Sequence, residues 1–401
     1  MAWSDAAQAT PPAGADVFAQ PPGGALRIEL PFAARVVVRT HAASFEEVAV
    51  ELSSAATART GSALAVRRDE AANEVSVATS GATVSAAGDE VDVVPEDLPL
   101  VRAWVPERFC SVAVVSPGGD VEVQGVREAD LRVEGPARRV SVGSAKGGAF
   151  VARAGAGGVR AASLAADVCV EVADGGAVEL ERVVGNAVEV ACAGGEVDIG
   201  TLYAPRLELH TSGGDVRVRH ADMRERDGSS ARDGSCTARV DTGGGSVCFD
   251  GIDGSLDVRT GGGGAVLRAN AGCGELALDT GGGDADVLID PQALPCACAV
   301  DGEGGVRVDA ALLLEGGMLS EAVASDGAHG GMGESDGAGG VEQALRRDAM
   351  SRAARLSVRH GRGGLRVGPM SWWAAKMGGW AEPQAPTRAQ RIAGARPDRG
   401  Q

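Results

Sequence analysis

Along most of the chain, apolar and polar residues alternate in runs of three to five, and glycine closes each run. The pattern is cleanest between Thr237 and Asp309. There the chain reads Thr-Ala-Arg-Val-Asp-Thr-Gly-Gly-Gly-Ser-Val-Cys-Phe, then Leu256-Asp-Val-Arg-Thr-Gly-Gly-Gly-Gly, then Leu276-Ala-Leu-Asp-Thr-Gly-Gly-Gly. Strict alternation puts every second side chain on one face, as in a strand with one buried side. Glycine pairs at Gly243, Gly262 and Gly281 recur every 19 residues, as do those at Gly175, Gly194 and Gly213. A fixed period near 20 with two short strands per repeat predicts stacked coils.

The expected fold is therefore all-β: a right-handed parallel β-solenoid with coils of about 19 residues, an irregular N-terminal cap and a flexible C-terminal tail. Val-x-Val buries two side chains and exposes one, and coils stacked about 4.8 Å apart pair every backbone group with the coil above and below. About ten coils between Gly118 and Val308 would make a rod of roughly 48 Å. Thr211, Thr242, Thr260 and Thr280 precede glycine turns at matching positions, which predicts a polar ladder at one corner.

The chain divides accordingly. Residues 1–25, with two proline pairs, read as a disordered leader, and 26–105 as irregular β opening coils or a cap. Residues 106–315 carry the regular repeats, with a polar insert near 222–235. Residues 316–350 read as a flexible insert with a short helix at 341–350, 351–370 as a final coil, and 371–401 as a tryptophan-containing cap followed by a disordered basic tail.

Composition sharpens this picture. Glycine supplies 60 of 401 residues, which without a period would signal disorder and with one marks corners. Aromatics are 3%, so the core is built from thin aliphatic layers. The formal charge is −17, but residues 341–401 carry a net +8, leaving −25 on the rest. An acidic body excludes nucleic-acid binding on the repeats, since that affinity rests on Lys and Arg neutralising phosphates. The eight cysteines are irregularly spaced, which argues against a disulfide framework. Residues 1–25 lack a basic start and an apolar core, and no apolar run reaches the roughly 18 residues of a membrane span. The expectation is a soluble intracellular, cytoplasmic protein with no transmembrane segment.

The glycine-pair turns between Val-x-Val strands resemble the adhesin-like β-strand-repeat family, a domain family of unknown function. Val105-Pro106-Glu-Arg-Phe109 through Val123, Gly200-Thr-Leu-Tyr-Ala204 and Gly251-Ile-Asp-Gly-Ser-Leu256-Asp-Val-Arg-Thr260 are similar to its eukaryotic branch, "family with sequence similarity 185, member A". The resemblance spans roughly residues 100–310. It implies a right-handed β-helix-like fold, no assigned enzymatic activity, and a mitochondrial location as the alternative compartment.

Candidate chemistry is sparse. Gly281-Gly-Gly-Asp284-Ala-Asp286-Val-Leu288 approaches a calcium-roll repeat, but it occurs once, and a roll shares each ion between tandem turns. Cys296-x-Cys298 has no companion pair at metal spacing. His210 and His220 lie in adjacent strands without a third ligand. The outward positions Glu179, Asp198, Glu208 and Asp257 alternate with Arg217 and Arg239, as on a solvated face. No catalytic residue, cofactor or metal is expected. The functional expectation is a non-catalytic structural or interaction protein with an unidentified protein partner; the alternative is a carbohydrate-active parallel β-helix enzyme, lyase or hydrolase, which would need paired carboxylates in a cleft. The densest aromatic cluster, Trp372, Trp373, Met377 and Trp380, is the candidate cap or partner contact. Circular dichroism of the full chain is expected to show a β spectrum; a substantial helical signal would sink the solenoid reading.

Overall fold

The computed structural model describes residues 11–12, 14–41, 46–53, 64–79, 98–224, 238–290, 292, 296–302, 306–308, 354–360 and 364–369. Among the described residues there is no α-helix, and 25 strands join in one continuous sheet. The sheet is wound so that it presents two faces. Each repeating unit places one strand on face one, turns through a glycine corner, and places the next strand on face two. The chain then passes to face one again, and each strand pairs in parallel with the strand two places on. Arg206–His210 on face one lies between Ala187–Cys192 and Ala238–Asp241, while Val216–Asp222 on face two lies between Val197–Tyr203 and Val247–Arg259. From 111–127 to 276–289, nine such units follow one another in sequence order. The all-β, parallel part of the sequence expectation holds.

Burial explains why these stretches are strands and why they stack. In Arg206–His210, Leu207 and Leu209 are buried while Glu208 is exposed, and in Val216–Asp222 Val216 and Val218 are buried around an exposed Arg217. A single unit offers only about four aliphatic side chains, each worth about 1.5–3 kcal/mol on full burial, and cannot cover them alone. Neighbouring units cover them, so one thin core runs the length of the stack. Phe150 and Phe249 are its largest fully buried side chains.

The glycine corner sets the closeness of the stacking. Thr211, Thr242, Thr260 and Thr280 are fully buried, and four residues separate each from the first buried residue of the next strand. Thr260 Oγ1 donates to the Gly263 carbonyl at 2.6 Å, with a second contact to the Thr280 carbonyl of the next unit at 3.0 Å. Thr211 and Thr242 repeat the arrangement, with 2.5 Å bonds to Gly214 and Gly245. The Gly262 N–H reaches the Thr280 carbonyl at 2.7 Å, from a residue at φ +115°, where an L side chain is strained. Gly263 is constrained differently: a Cβ there would collide with the carbonyl of Gly245 in the unit below. The threonines at 242, 260 and 280 are 18 and 20 residues apart, so the period read from the glycine pairs is an average. The surplus is absorbed where 247–259 meets 265–279, with register shifts between Phe249 and Leu256.

At both ends the spatial order departs from the sequence order. The unit formed by Ala25–Glu29 and Arg35–His41 lies between that of Glu74–Thr79 and Leu100–Pro106 and that of Ser111–Val115 and Asp120–Arg127. Residues 107–110 step over it, with Phe109 exposed and at φ +59°, and the Phe109 carbonyl accepts the Gly23 N–H at 2.8 Å. At the other end, Ala354–His360 and Leu365–Pro369 lie between the unit 276–289 and the strands Cys296–Gly302 and Val306–Val308. The last unit in sequence is thus the last but one in space. Antiparallel pairs close the N-terminal end, Glu47–Leu52 on Leu100–Pro106 and Leu64–Asp69 on Glu74–Thr79. The edge strand Leu64–Asp69 ends in exposed Arg67, Arg68 and Asp69, charges that discourage further pairing.

Two substitutions test the corner. Gly263→Ala is expected to cost about 2–3 kcal/mol, since backbone must move to admit the methyl group. Thr260→Val leaves the Gly263 carbonyl without its hydroxyl donor and is expected to cost about 1–2 kcal/mol. Gly14→Ala, with open space around it, serves as the neutral control. Urea unfolding midpoints read all three; equal midpoints for Gly263→Ala and Gly14→Ala would overturn the corner assignment.

Candidate functional site

Stacking turns each outward position into a row along the stack. On face one, one row reads Cys169, Glu189, Glu208, Arg239, Asp257, Ala277, and the next reads Ala191, His210, Asp241, Arg259, Asp279, Arg359. On face two, Glu179, Asp198, Arg217, Cys248 and Val266 follow one another. The outward residues expected to alternate in charge do so in part: Asp198 faces Arg217 and Arg239 lies between Glu208 and Asp257, but Glu179 faces Asp198.

Ion pairs tie these rows together. Arg153 pairs with Glu171 at 2.9 Å and Arg160 with Glu179 at 3.4 Å, both well exposed, and Arg219 with the half-buried Asp198 at 3.7 Å, all across neighbouring units. Exposed pairs of this kind contribute about 0–1 kcal/mol each, so their effect lies in register more than stability. Asp120 receives a two-point bond from Arg138 at 3.0 and 3.1 Å and a third from Arg139. Burial alone would raise the Asp120 carboxyl, but these arginines outweigh it and hold it below the usual carboxylate range.

The most enclosed charges are on face two. Asp250 meets Arg268 at 3.3 Å and Arg217 at 3.8 Å, and the Cys248 thiol points at Asp250 Oδ1 from 3.9 Å. Arg268 occupies an outward row yet is only 7% exposed, and its Nε finds no hydrogen-bond partner. A charge buried in that way is costly unless paired, and Asp250 is the pairing group. Burial, followed by the charge of Asp250, pushes the Cys248 thiol up to about 11. Sequence reasoning missed this cluster, because Arg268 sits at a position that alternation assigns to solvent.

Close by, Asp222 is gripped by Arg224 through two 2.8 Å bonds, and Asp253 accepts from Asn270 at 3.0 Å and from the Gly272 N–H at 3.1 Å. The two histidines read as neighbours are on different faces: His210 bonds Glu208 at 3.0 Å on face one, and His220 meets the Tyr203 ring edge-on at 5.8 Å on face two. Consecutive strands here always belong to opposite faces, so nearness in sequence does not bring outward side chains together. Asp284 accepts the Gly364 N–H at 2.8 Å, a corner bond between units. Among the described residues no three His, Cys, Asp or Glu side chains converge as a metal would require. Cys110, Cys169, Cys192, Cys248 and Cys273 are free thiols, with Cys110 raised by burial to about 12. The candidate contact residues Trp372, Trp373, Met377 and Trp380 lie outside the described residues, as do both inserts singled out in the sequence for the most part. Among the described residues no helix is long and apolar enough to cross a membrane.

No family model matches the chain, and no curated protein matches it. Among solved structures, a candidate cell adhesion protein from Clostridium sporogenes is similar over 88% of this chain and 98% of that one, at 7% identity and a TM-score of 0.16. So slight a likeness carries no argument.

The raised Cys248 thiol has a direct consequence. At pH 8 its thiolate is scarce, so alkylation by iodoacetamide is expected to run at least about 100-fold slower than for an unhindered cysteine and to accelerate as pH rises toward about 11. Peptide mass spectrometry after timed alkylation reads the rate. Fast modification of folded protein at pH 8 would contradict the enclosure of the Asp250 cluster.

Proposed function

We propose that the chain is a right-handed parallel β-solenoid of adhesin-like type, a non-catalytic rod whose outer faces and inserts present binding surface to another protein. The observation that supports this reading best is the ordering of charge along the outer rows. Acid meets base over parts of these rows, as at Glu208–Arg239–Asp257 and Asp198–Arg217, and carboxylates across both faces are engaged by arginines: Glu171 by Arg153, Glu179 by Arg160, Asp198 by Arg219, Asp250 by Arg217 and Arg268. A carboxylate committed to a guanidinium is poorly suited to transfer protons or attack a sugar, whereas patterned charge on a stiff surface suits recognition and orientation of a partner.

The enzyme alternative draws on a single place. Asp250 lies enclosed between Arg217 and Arg268, and enclosure is a feature shared by many catalytic carboxylates. Glycoside hydrolysis uses two carboxylates flanking the bond, and the charged groups joined to Asp250 in its cluster are arginines.

The test is turnover. The full chain is incubated with neutral and acidic polysaccharides, and new chain ends are followed by mass spectrometry. The expected result is no increase over a buffer control. New ends that disappear with Asp250→Asn would overturn the non-catalytic reading in favour of the alternative.

A further inference from the structure

The placement of the last unit carries a consequence for partners. Strands Cys296–Gly302 and Val306–Val308 form the C-terminal end of the stack, and every register pair they make is with the inserted unit, Ala354–His360 and Leu365–Pro369. The inserted unit in turn pairs on its other side with Glu275 to Asp279 and Ala285 to Ile289. Its inward residues Leu356, Val358, Leu365 and Val367 are buried in the common core. Among the described residues, strand pairing joins the end unit to the other units through this inserted unit.

Charge favours this arrangement on face one. Arg359 stands in register with Asp279. Were the end unit stacked directly on 275–289 in the same register, position 301 would face position 279, and both are aspartate. Like charges directly opposite each other destabilise a strand pair. On face one the gap therefore suits the inserted unit better than the one that follows it in the chain, while on face two position 366, an arginine, stands in register with both Asp286 and Arg307.

The inserted unit is tethered through residues 309–353, a stretch of 45 residues. At about 3.4 Å per residue that length can reach as far as roughly 150 Å, while thirteen stacked units at about 4.8 Å make a rod of about 60 Å. A regular passage from face two to face one needs far less: six residues separate Ile199 from Arg206. The tether is thus long enough to deliver the unit to the same gap in another molecule. Such a delivery replaces each backbone bond and buried contact by an identical one, and its cost is the entropy of association.

We propose that the partner of the C-terminal end is a second copy of this chain, which contributes its own 354–369 unit to the gap between 276–289 and 296–308. The exchange is the strand-donation mode of recognition, with the main chain supplying affinity and the alternating inward side chains supplying fit. Within one molecule the tether gives the unit a high effective concentration, so the closed monomer dominates in dilute solution and exchange grows with protein concentration. This inference rests on the stacked-rod reading of the chain.

Three full-length variants test it, Asp279→Cys, Arg359→Cys and the double variant, the two positions being direct register partners. The double variant, refolded and oxidised when dilute, is expected to form a disulfide within one chain. The two single variants, mixed, unfolded, refolded together and oxidised, are expected to form a covalent heterodimer. Its fraction should rise about tenfold per tenfold increase in concentration while exchange is minor. Wild-type protein treated alike gives the background from native thiols. An intrachain link in the double variant with no heterodimer above background at any concentration overturns exchange and leaves the stacked rod intact. Failure of the intrachain link overturns the register itself, and the exchange with it.

Discussion

The close approach of backbone to backbone at the glycine corners governs everything else in this molecule. Gly214, Gly245, Gly263 and Gly283 occupy equivalent places in successive units, and at each a Cβ would strike the carbonyl of the glycine beneath it. At this corner the absence of side chains lets the units sit a strand spacing apart. The buried threonines lock the same corner by bonding its carbonyls, so the polar groups of a tight turn are satisfied without water. Once that spacing is imposed, the core can be only as thick as two aliphatic layers, which is why valine and leucine suffice and aromatic rings are scarce.

Stacking also converts a local sequence choice into a long-range one. A residue on an outward position meets its counterparts one unit above and below, about 19 residues away in a regular repeat and 31 or 80 residues away where extra chain intervenes. The runs Glu208–Arg239–Asp257 and Asp241–Arg259–Asp279–Arg359 show charges chosen against those neighbours and not against adjacent residues in the chain. The pairs add little energy individually. Their sum discriminates between stacking orders that the apolar interior, nearly uniform from unit to unit, cannot tell apart.

That uniformity explains what the sequence revealed and what it hid. Alternation located the strands, and the spacing of Thr242, Thr260 and Thr280 located the corner, because both are dictated within a single unit. The outward rows of Glu179, Asp198, Glu208, Asp257, Arg217 and Arg239 followed from the same period. The order of units at the two ends did not follow, since a Val-x-Val strand accepts any other Val-x-Val strand as a neighbour. A partial signal lay in charge on face one, where Arg359 stands in register between aspartates at 279 and 301. Arg268 was illegible for a different reason. Alternation assigns it to the outside, but its enclosure with Asp250 arises from how units pack, which no single strand records.

Phe109, held in a left-handed conformation as the chain steps over an inserted unit, and the buried unit at 354–369 have a shared mechanical meaning. In a simple coil stack, tension on a terminus peels the outermost layer, breaking one row of bonds at a time. Here tension entering from the C-terminal side reaches a layer clasped by neighbours above and below, and must shear two rows together. Pulling at residue 369 therefore engages strand pairing on both sides of that layer at once.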